Sequence, residues 1–169
     1  MAENFFSPDY FTARNRFRKL AEKAGGTLET IRISAKGPNG EDLTIDIVWF
    51  GASEPRRVVV HSSGLHGVEG FAGSAIQLQL LSDVPVLPAD TAVFVVHILN
   101  PYGMSWLRRV NEHNVDLNRN FREPGTYRGA PDDYAKANWF INPATPPSHD
   151  LYFAKLALLV MRYGMTALK

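Results

Sequence analysis

A histidine and a glutamate three residues apart are the pair in this chain best suited to chemistry. His66 and Glu69 lie in the segment 58–73, where an apolar run ends in a Gly-rich turn and a helix-like pattern follows. A neutral imidazole and a carboxylate at this spacing can face one divalent metal ion, and zinc takes nitrogen and oxygen donors of this kind. The competing interpretation is a polar turn in which Glu69 caps the helix. His-x-x-Glu alone does not decide between them, because so short a motif often arises by chance.

The composition restricts which sites and partners the chain can have. It has 169 residues, 45% of them hydrophobic, a formal net charge of +1 and no cysteine. This suits one domain with its own core, and the small charge gives no pull towards nucleic acid or membrane. Without cysteine, a zinc site must use His, Asp or Glu. We find no signal-peptide pattern and no apolar run long enough to span a bilayer, so we expect a cytoplasmic protein.

A helix and a hairpin are predicted before the His-x-x-Glu segment. Ser7-Pro8-Asp9 is typical of a helix start, with a cap and a proline in the first turn, and Gly25-Gly26 predicts the helix end. Alternating apolar residues predict strands over 27–35 and 42–50. The turn chemistry of Gly37-Pro38-Asn39-Gly40 between them indicates an antiparallel hairpin.

The His-x-x-Glu pair itself belongs to a strand–helix–strand unit. Residues 57–60 form a short continuous apolar strand, of the type buried on both faces of a parallel sheet. A helix over 69–81 and a strand over 91–99 follow, which implies a right-handed parallel crossover. Ligand sites in such sheets lie at the C-terminal ends of strands. His66 and Asn100-Pro101 should therefore lie on the same rim.

The remaining residues complete an α/β assignment. Residues 122–150 are rich in Pro, Gly and Asp and have the composition of a long surface excursion. A last helix over 151–163, capped by Ser148, is apolar nearly all round and should be buried. We therefore predict a mixed sheet, with an N-terminal antiparallel hairpin and a parallel β–α–β core, flanked by helices.

A second polar segment supports the metal interpretation. Residues 109–121 read Arg-Val-Asn-Glu-His-Asn-Val-Asp-Leu-Asn-Arg-Asn-Phe, and Asn100-Pro101-Tyr102-Gly103 precedes them at the end of the central strand. In these residues the chain resembles the zinc carboxypeptidase superfamily, where a His-x-x-Glu zinc pair, Asn-Pro-Asp/Tyr-Gly and Val-Asp-Leu-Asn-Arg-Asn-Phe follow in this order. The resemblance covers about 58–121. It is closest to a bacterial branch described as a domain of unknown function.

The resemblance implies a metal role for three residues. His66 and Glu69 would be zinc ligands. Asp116 would accept a hydrogen bond from the other ring N–H of His66, which fixes the tautomer and raises the basicity of the ligating nitrogen.

The resemblance also implies how a substrate would be held. Asn118 and Arg119 would bind a substrate carboxylate, for which a planar guanidinium is suited because it can bind bidentately. Arg109, seven residues before Asp116, would stabilise the oxyanion that forms during hydrolysis, with Arg108 as the neighbouring alternative. The plain alternative is that Asp116 and Arg119 form an ordinary surface ion pair.

The implied protein is a single zinc-carboxypeptidase-like catalytic domain over 1–169, with part of the phosphorylase/hydrolase-like carboxypeptidase fold. Its activity would be zinc-dependent hydrolysis of an amide or peptide bond in a carboxylate-bearing substrate, either a small peptide or an N-acyl amino acid. Two alternatives stay open. One is an N-acyl amino acid deacylase of the aspartoacylase or desuccinylase type, and the other is a non-catalytic module that binds carboxylates.

Two other classes fit the residues poorly. The glycines at 64, 67, 70 and 73 follow a strand, but their spacing matches neither the dinucleotide-binding motif nor the P-loop. Ser62 and Ser63 lack the Gly-x-Ser-x-Gly elbow of a serine hydrolase.

Two parts of the family pattern are missing, a third zinc-ligating histidine and a general-base glutamate. After Phe121 the sequence has one histidine, His149, whose place before a helix is more typical of a solvated residue than of a ligand. We therefore expect the chain to be the N-terminal part of a longer enzyme, with little or no peptidase activity by itself. Exposed sheet or helix surface could then support an oligomer.

The other histidines carry separate expectations. His61 and His97 lie in predicted strands and are expected to be buried, hydrogen-bonded core residues. His113 lies in the loop before Asp116 and is expected to border the cleft, without an assigned role.

Overall fold

The chain divides into two compact units, Met1–Phe121 and Arg122–Lys169. The computed structural model describes residues 4–121, 123, 125, 129, 132–141 and 151–165. The single domain expected over 1–169 stays a prediction.

The first unit is an α/β structure built on a four-stranded mixed sheet. Its elements are α1 (Tyr10–Lys23), β1 (Thr27–Lys36), β2 (Asp42–Gly51), β3 (Arg57–Ser62), α2 (Gly70–Ser82), β4 (Thr91–His97), α3 (Pro101–Ser105) and a 3-10 turn (Leu117–Arg119). The strand order is β1-β2-β4-β3. β1 and β2 form the predicted antiparallel hairpin, and β3 pairs with β4 in parallel. The α/β class, the hairpin and the parallel strand pair are confirmed.

Helices α1 and α2 pack against each other and against the sheet. Their contact forms a buried apolar cluster, which removes hydrocarbon from water and so holds both helices on the strands. The cluster contains Phe17, Ala21, Val48, Leu78, Leu81, Val93 and Val95.

The N-cap of helix α1 lies two residues after the expected one. The carboxylate of Asp9 accepts a hydrogen bond of 2.7 Å from the backbone N–H of Thr12, so Asp9 is the N-cap and Pro8 precedes the helix. The expected cap at Ser7 is therefore wrong, because the free N–H of Thr12 in the first turn donates to Asp9. The end at Gly25-Gly26 is confirmed, with Gly25 at φ +71°.

Strand β3 lies at the edge of the sheet, and the prediction that it is buried on both faces is wrong. Val58, Val59 and Val60 are 53%, 52% and 64% exposed. Among the described residues β3 pairs with β4 alone. An edge strand has a neighbour on one side only, and a run of valines cannot distinguish this position from the centre of a sheet.

The second unit contains α4 (Asp132–Ile141) and α5 (Tyr152–Tyr163). The first of these helices lies inside the segment that has the composition of a surface excursion, and the sequence interpretation did not predict it. The bounds of α5 agree with the predicted last helix, but only Leu159 of α5 is buried, so its expected burial is wrong. The expected cap Ser148 lies outside the described residues.

A buried polar group connects α1 and α2 to the sheet. Arg18 binds the fully buried Asp46 through contacts of 2.7 and 2.9 Å. His97 faces Asp46 in the β2–β4 register and stacks on Phe17 with ring centroids 4.5 Å apart. Its Nε2 lies 2.9 Å from Ser74 Oγ. The buried, hydrogen-bonded position expected for His97 is confirmed.

Two glycines allow the loop after β3 to lie directly against α3. A Cβ at Gly67 would lie 1.9 Å from the carbonyl carbon of Gly103, so only glycine permits this approach. The N–H groups of Gly67 and Val68 donate to the carbonyl oxygens of Arg109 and Arg108 at 3.3 and 3.2 Å. This loop and the chain after α3 are therefore held together by backbone contacts.

Asn100 connects the same two loops through hydrogen bonds. It is almost fully buried, and its N–H donates to the carbonyl oxygen of Gly64 at 2.9 Å. Its Oδ1 accepts from Gly103 N–H at 2.8 Å, and its Nδ2 donates to Arg109 O at 3.4 Å. The Asn-Pro after β4 thus positions both loops at the rim of the sheet.

Among the described residues, none of the helices combines the length and the apolar character that crossing a bilayer requires.

Replacing Gly67 by alanine should destabilise the first unit. The new Cβ would overlap the backbone of Gly103, so the loop must shift, and we expect a loss of about 1–3 kcal/mol in the free energy of unfolding by urea. Gly70→Ala is the matched control. A Cβ there meets the flexible Met104 Sδ at 3.2 Å, and we expect a change below about 1 kcal/mol. Equal effects of the two substitutions would contradict the role given to Gly67.

Protonation of His97 should destabilise the first unit below neutral pH. Burial lowers the pKa of His97 from 6.5 to about 4. The unfolded state therefore binds the proton first, so the stability is complete above about pH 6.5 and is lost progressively as the pH falls towards about 4. We expect the free energy of unfolding to fall by about 2 kcal/mol between pH 7 and pH 5.

The control for this pH dependence is a second histidine. His97→Asn should remove most of the slope, whereas His113→Asn, at a side chain that is 78% exposed, should keep it. The same slope in both variants would mean that another group is responsible.

Candidate metal centre

His66 lies between two carboxylates at the rim of the sheet. Its Nδ1 is 3.1 Å from Glu69 Oε2, and its Nε2 is 3.0 Å from Asp116 Oδ1. The imidazole is buried, with 8% of its surface exposed, while Glu69 is largely exposed. The structure thus brings the His66–Glu69 pair together with Asp116, which lies 50 positions after His66 in the sequence.

Glu69 stands at the N-cap position of α2 but makes no side-chain capping hydrogen bond. Its carboxylate is turned towards His66 and Arg109 instead. The capping interpretation of the pair therefore lacks the contact it requires.

Asp116 is a carboxylate surrounded by donors. Its Oδ2 accepts from Arg109 Nε at 3.0 Å, and its Oδ1 accepts from the N–H of Asn118 at 2.9 Å. The hydrogen bond from Arg109, with a smaller contribution from that of His66, lowers the pKa of Asp116 to about 2. Asp116 is therefore ionised at neutral pH and can accept a hydrogen bond from a protonated ring nitrogen of His66.

Arg109 bridges the two carboxylates. Besides its contact with Asp116, its Nη1 lies 3.3 Å from Glu69 Oε1. Arg108, the alternative candidate for the same role, turns away and donates to Asn114 Oδ1 at 2.9 Å. Of the two arginines, Arg109 is the one that reaches the His66 pair.

A cavity of about 410 Å³ opens beside His66 and Glu69, and Asn118 is part of its wall. Arg119 follows in the 3-10 turn, and its Nη1 donates to the carbonyl oxygen of Asn118 at 3.1 Å. Asp116 takes its cationic contact from Arg109. The surface ion pair between Asp116 and Arg119 does not occur among the described residues. Arg119 is not one of the residues that line the cavity.

The remaining histidines occupy different environments. His61 is hydrogen-bonded to Gln77 as expected, but it is half-buried and lines the cavity beside His66, so its expected place in the core is wrong. His113 is exposed and contributes no wall to the cavity that it was expected to border. His149, the weak candidate for a third ligand, lies outside the described residues.

His66 and Glu69 fit two positions of a zinc site. Zinc ligands at about 2.0–2.2 Å in a tetrahedral arrangement lie about 3.3–3.6 Å apart, and the two donor atoms are slightly closer than that, at 3.1 Å. Asp116 leaves Nδ1 as the nitrogen available to a metal. Within the described part of the chain, no group of three or more His, Asp or Glu residues could hold a metal ion. The described site thus offers two protein donors.

The sequence interpretation missed the contribution of Asn100 and the two glycines to positioning these donors. Asn100 was expected at the rim, and the Asn-Pro pattern after a strand was the available signal. The close approach of Gly67 to Gly103 has no local signal, because it depends on two segments that are distant in sequence.

Solved structures are similar to parts of this chain at low sequence identity. A carboxypeptidase A from Helicoverpa armigera is 20% identical with a TM-score of 0.47, covering 72% of this chain and 35% of its own. An aspartoacylase family protein from Mesorhizobium loti is 22% identical with a TM-score of 0.42, covering 62% and 32%. A glutaminyl cyclase from Fimbriiglobus ruber is 17% identical with a TM-score of 0.40, covering 56% and 41%. The chain thus spans well under half the length of these three proteins.

No curated protein matches the sequence. Residues 6–169 match the model of one protein family, which is nearly the whole chain. The chain therefore belongs to the family described as "Protein of unknown function (DUF2817)".

Proposed function

We propose that the chain carries the metal-binding part of a zinc-dependent hydrolase that cleaves an amide or peptide bond. The observation that supports this most is the position of His66. If its Nε2–H donates to the ionised Asp116, an electron pair is left on Nδ1, and that nitrogen lies 3.1 Å from Glu69 Oε2. Two acceptors this close repel each other unless a proton or a metal ion lies between them.

A proton and a zinc ion are the two candidates for this position. A second proton would make His66 a cation between two carboxylates, and zinc would instead bind both donors directly. The order of the three motifs resembles that of zinc carboxypeptidases, and this favours zinc. When bound, zinc would polarise the substrate carbonyl and acidify a water molecule.

The other polar residues fit roles around the reacting carbonyl. Arg109 lies within 3.3 Å of Glu69, so its charge is close enough to stabilise an oxyanion formed beside the metal pair. Asn118 lines the cavity next to both donors, where its amide could bind a substrate oxygen. Arg119 would supply the bidentate contact to a substrate carboxylate, which requires its side chain to turn towards the cavity.

The proposed substrate is a small peptide or an N-acyl amino acid, acted on without nucleic acid or membrane partners in the cytoplasm. A complete zinc site needs a third protein ligand, and hydrolysis needs a carboxylate to take the proton from water. Both groups would come from residues outside the described part of the chain.

A non-catalytic carboxylate-binding module is the second candidate. One observation favours it: within the described residues, no group of three or more His, Asp or Glu residues could hold a metal ion. In that case the site would bind a carboxylate ligand through Arg109 and Asn118, and His66 would take a proton instead of zinc.

The first test is zinc binding by the chain. We expect isothermal titration calorimetry to detect one zinc ion, bound weakly because two protein donors hold it, and His66→Ala and Glu69→Ala should each abolish the signal. His113→Ala, at an exposed histidine, is the matched control and should bind as the wild type does. Unchanged binding by His66→Ala would refute the ligand assignment, and no binding by the wild type would favour the non-catalytic candidate.

The second test concerns Asp116. Asparagine at this position retains an acceptor but loses the charge that holds the proton on His66 Nε2, so Asp116→Asn should weaken zinc binding by about 10–100-fold. Asp83→Asn makes the same substitution at an exposed site and should leave the affinity unchanged. Equal affinities in both variants would remove Asp116 from the proposed site.

A further inference from the structure

His61 lies in the wall of the same cavity as the proposed metal pair, although no motif of the sequence assigns it a role. It precedes the last residue of β3, and the cavity is also lined by Ile76 from the facing helix α2. The cavity of about 410 Å³ is large enough for part of a small ligand. An imidazole in the wall of such a cavity can form a hydrogen bond with a ligand.

The fully buried Gln77 fixes how His61 is oriented. Its side-chain amide has two ends, and two neighbours decide which end points where. Its Nε2 donates to the carbonyl oxygen of Val96 at 2.9 Å, and its Oε1 accepts from Ser63 Oγ at 2.8 Å. A backbone carbonyl can only accept, so the amide cannot be reversed without breaking this contact.

The orientation of Gln77 in turn fixes the tautomer of His61. Gln77 Nε2 lies 3.2 Å from His61 Nδ1 and 3.3 Å from the carbonyl oxygen of the same residue. Because the amide presents a hydrogen atom here, Nδ1 must present its electron pair. A neutral imidazole carries one proton, which is then on Nε2.

The Nε2–H group is available to a ligand. Within the described part of the chain no hydrogen bond reaches His61 Nε2, and this atom is not among the buried atoms that lack a partner. The ring lines the cavity while its other nitrogen is turned towards α2. We infer that Nε2–H faces the open space beside Glu69 and Asn118.

We propose that His61 is a neutral hydrogen-bond donor that binds an oxygen atom of the substrate in this cavity. The inference rests on the proposed function and specifies its substrate. The part of the substrate next to α2 carries an acceptor oxygen, in a carbonyl or carboxylate group, and has an apolar segment against Ile76, whose side chain is largely exposed. His61 would be a positioning residue that does not take part in proton transfer.

The tautomer can be measured without any activity. Long-range proton–nitrogen correlation spectra of the chain labelled with ¹⁵N-histidine should give His61 the pattern of the Nε2–H form. The Nδ1–H form would overturn the proposal.

Ligand binding is followed with N-acetylglycine, which has an amide carbonyl and a carboxylate. Adding it should shift the His61 Nε2 resonance and the methyl resonances of Ile76. The Ile76 signal reports on the cavity even when His61 is replaced.

Two substitutions separate the two nitrogens of His61. Asparagine at 61 retains an acceptor for Gln77 but has no donor at the position of Nε2, so His61→Asn should weaken N-acetylglycine binding about tenfold. His61→Gln places an amide N–H near the position of Nε2 and should stay within about threefold of the wild type. His113→Asn is the control and should have no effect, because its side chain is exposed outside the cavity.

The outcomes distinguish this inference from the proposed function. Wild-type affinity in His61→Asn, or no Ile76 shift in the wild type, would overturn the role of His61. The N-acetylglycine titration is performed both with zinc and with a chelator. If the wild type binds no zinc but the His61 substitutions still change N-acetylglycine binding as expected, the metal proposal alone is overturned.

Discussion

The parallel pairing of β3 with β4 is the constraint on which the candidate site depends. Its register runs from Arg57 opposite Thr91 to Ser62 opposite Val96, so both strands end at the same rim. The pairing continues past the strands, where the N–H of Leu99 donates to Ser63 O at 3.0 Å. The segments that directly follow the two strands are thereby brought together, so the Gly-rich loop after β3 and the Asn-Pro turn after β4 can pack against each other.

The site combines a charged group of side chains, around His66, with an uncharged pair, His61 and Gln77. Arg109 offsets the charge of the two carboxylates that flank His66, which allows three charged side chains to stay close together at a partly exposed rim. In the second pair, the amide of the buried Gln77 donates to His61 and leaves the other ring nitrogen of His61 for a ligand. The first arrangement suits a cation and a carboxylate, and the second suits a neutral polar group.

Local patterns predicted the hairpin, the strand–helix–strand unit and the rim, because these depend on apolar periodicity and turn chemistry. The meeting of His66 with Asp116 came from a family resemblance, since no local rule connects residues 50 positions apart. The position of β3 at an edge could not be predicted, because three valines suit either place. The cavity position of His61 was missed for a related reason, since its contact with Gln77 joins a strand to a helix.

The edge position of β3 also affects how long the site persists. Among the described residues, β3 pairs with one strand, β4, and the main apolar cluster contains residues of α1, α2, β2 and β4 but none of β3. Local opening of an edge costs less free energy than global unfolding. β3 can therefore open while that cluster stays folded, so amide hydrogens of β3 should exchange with solvent faster than those of β4.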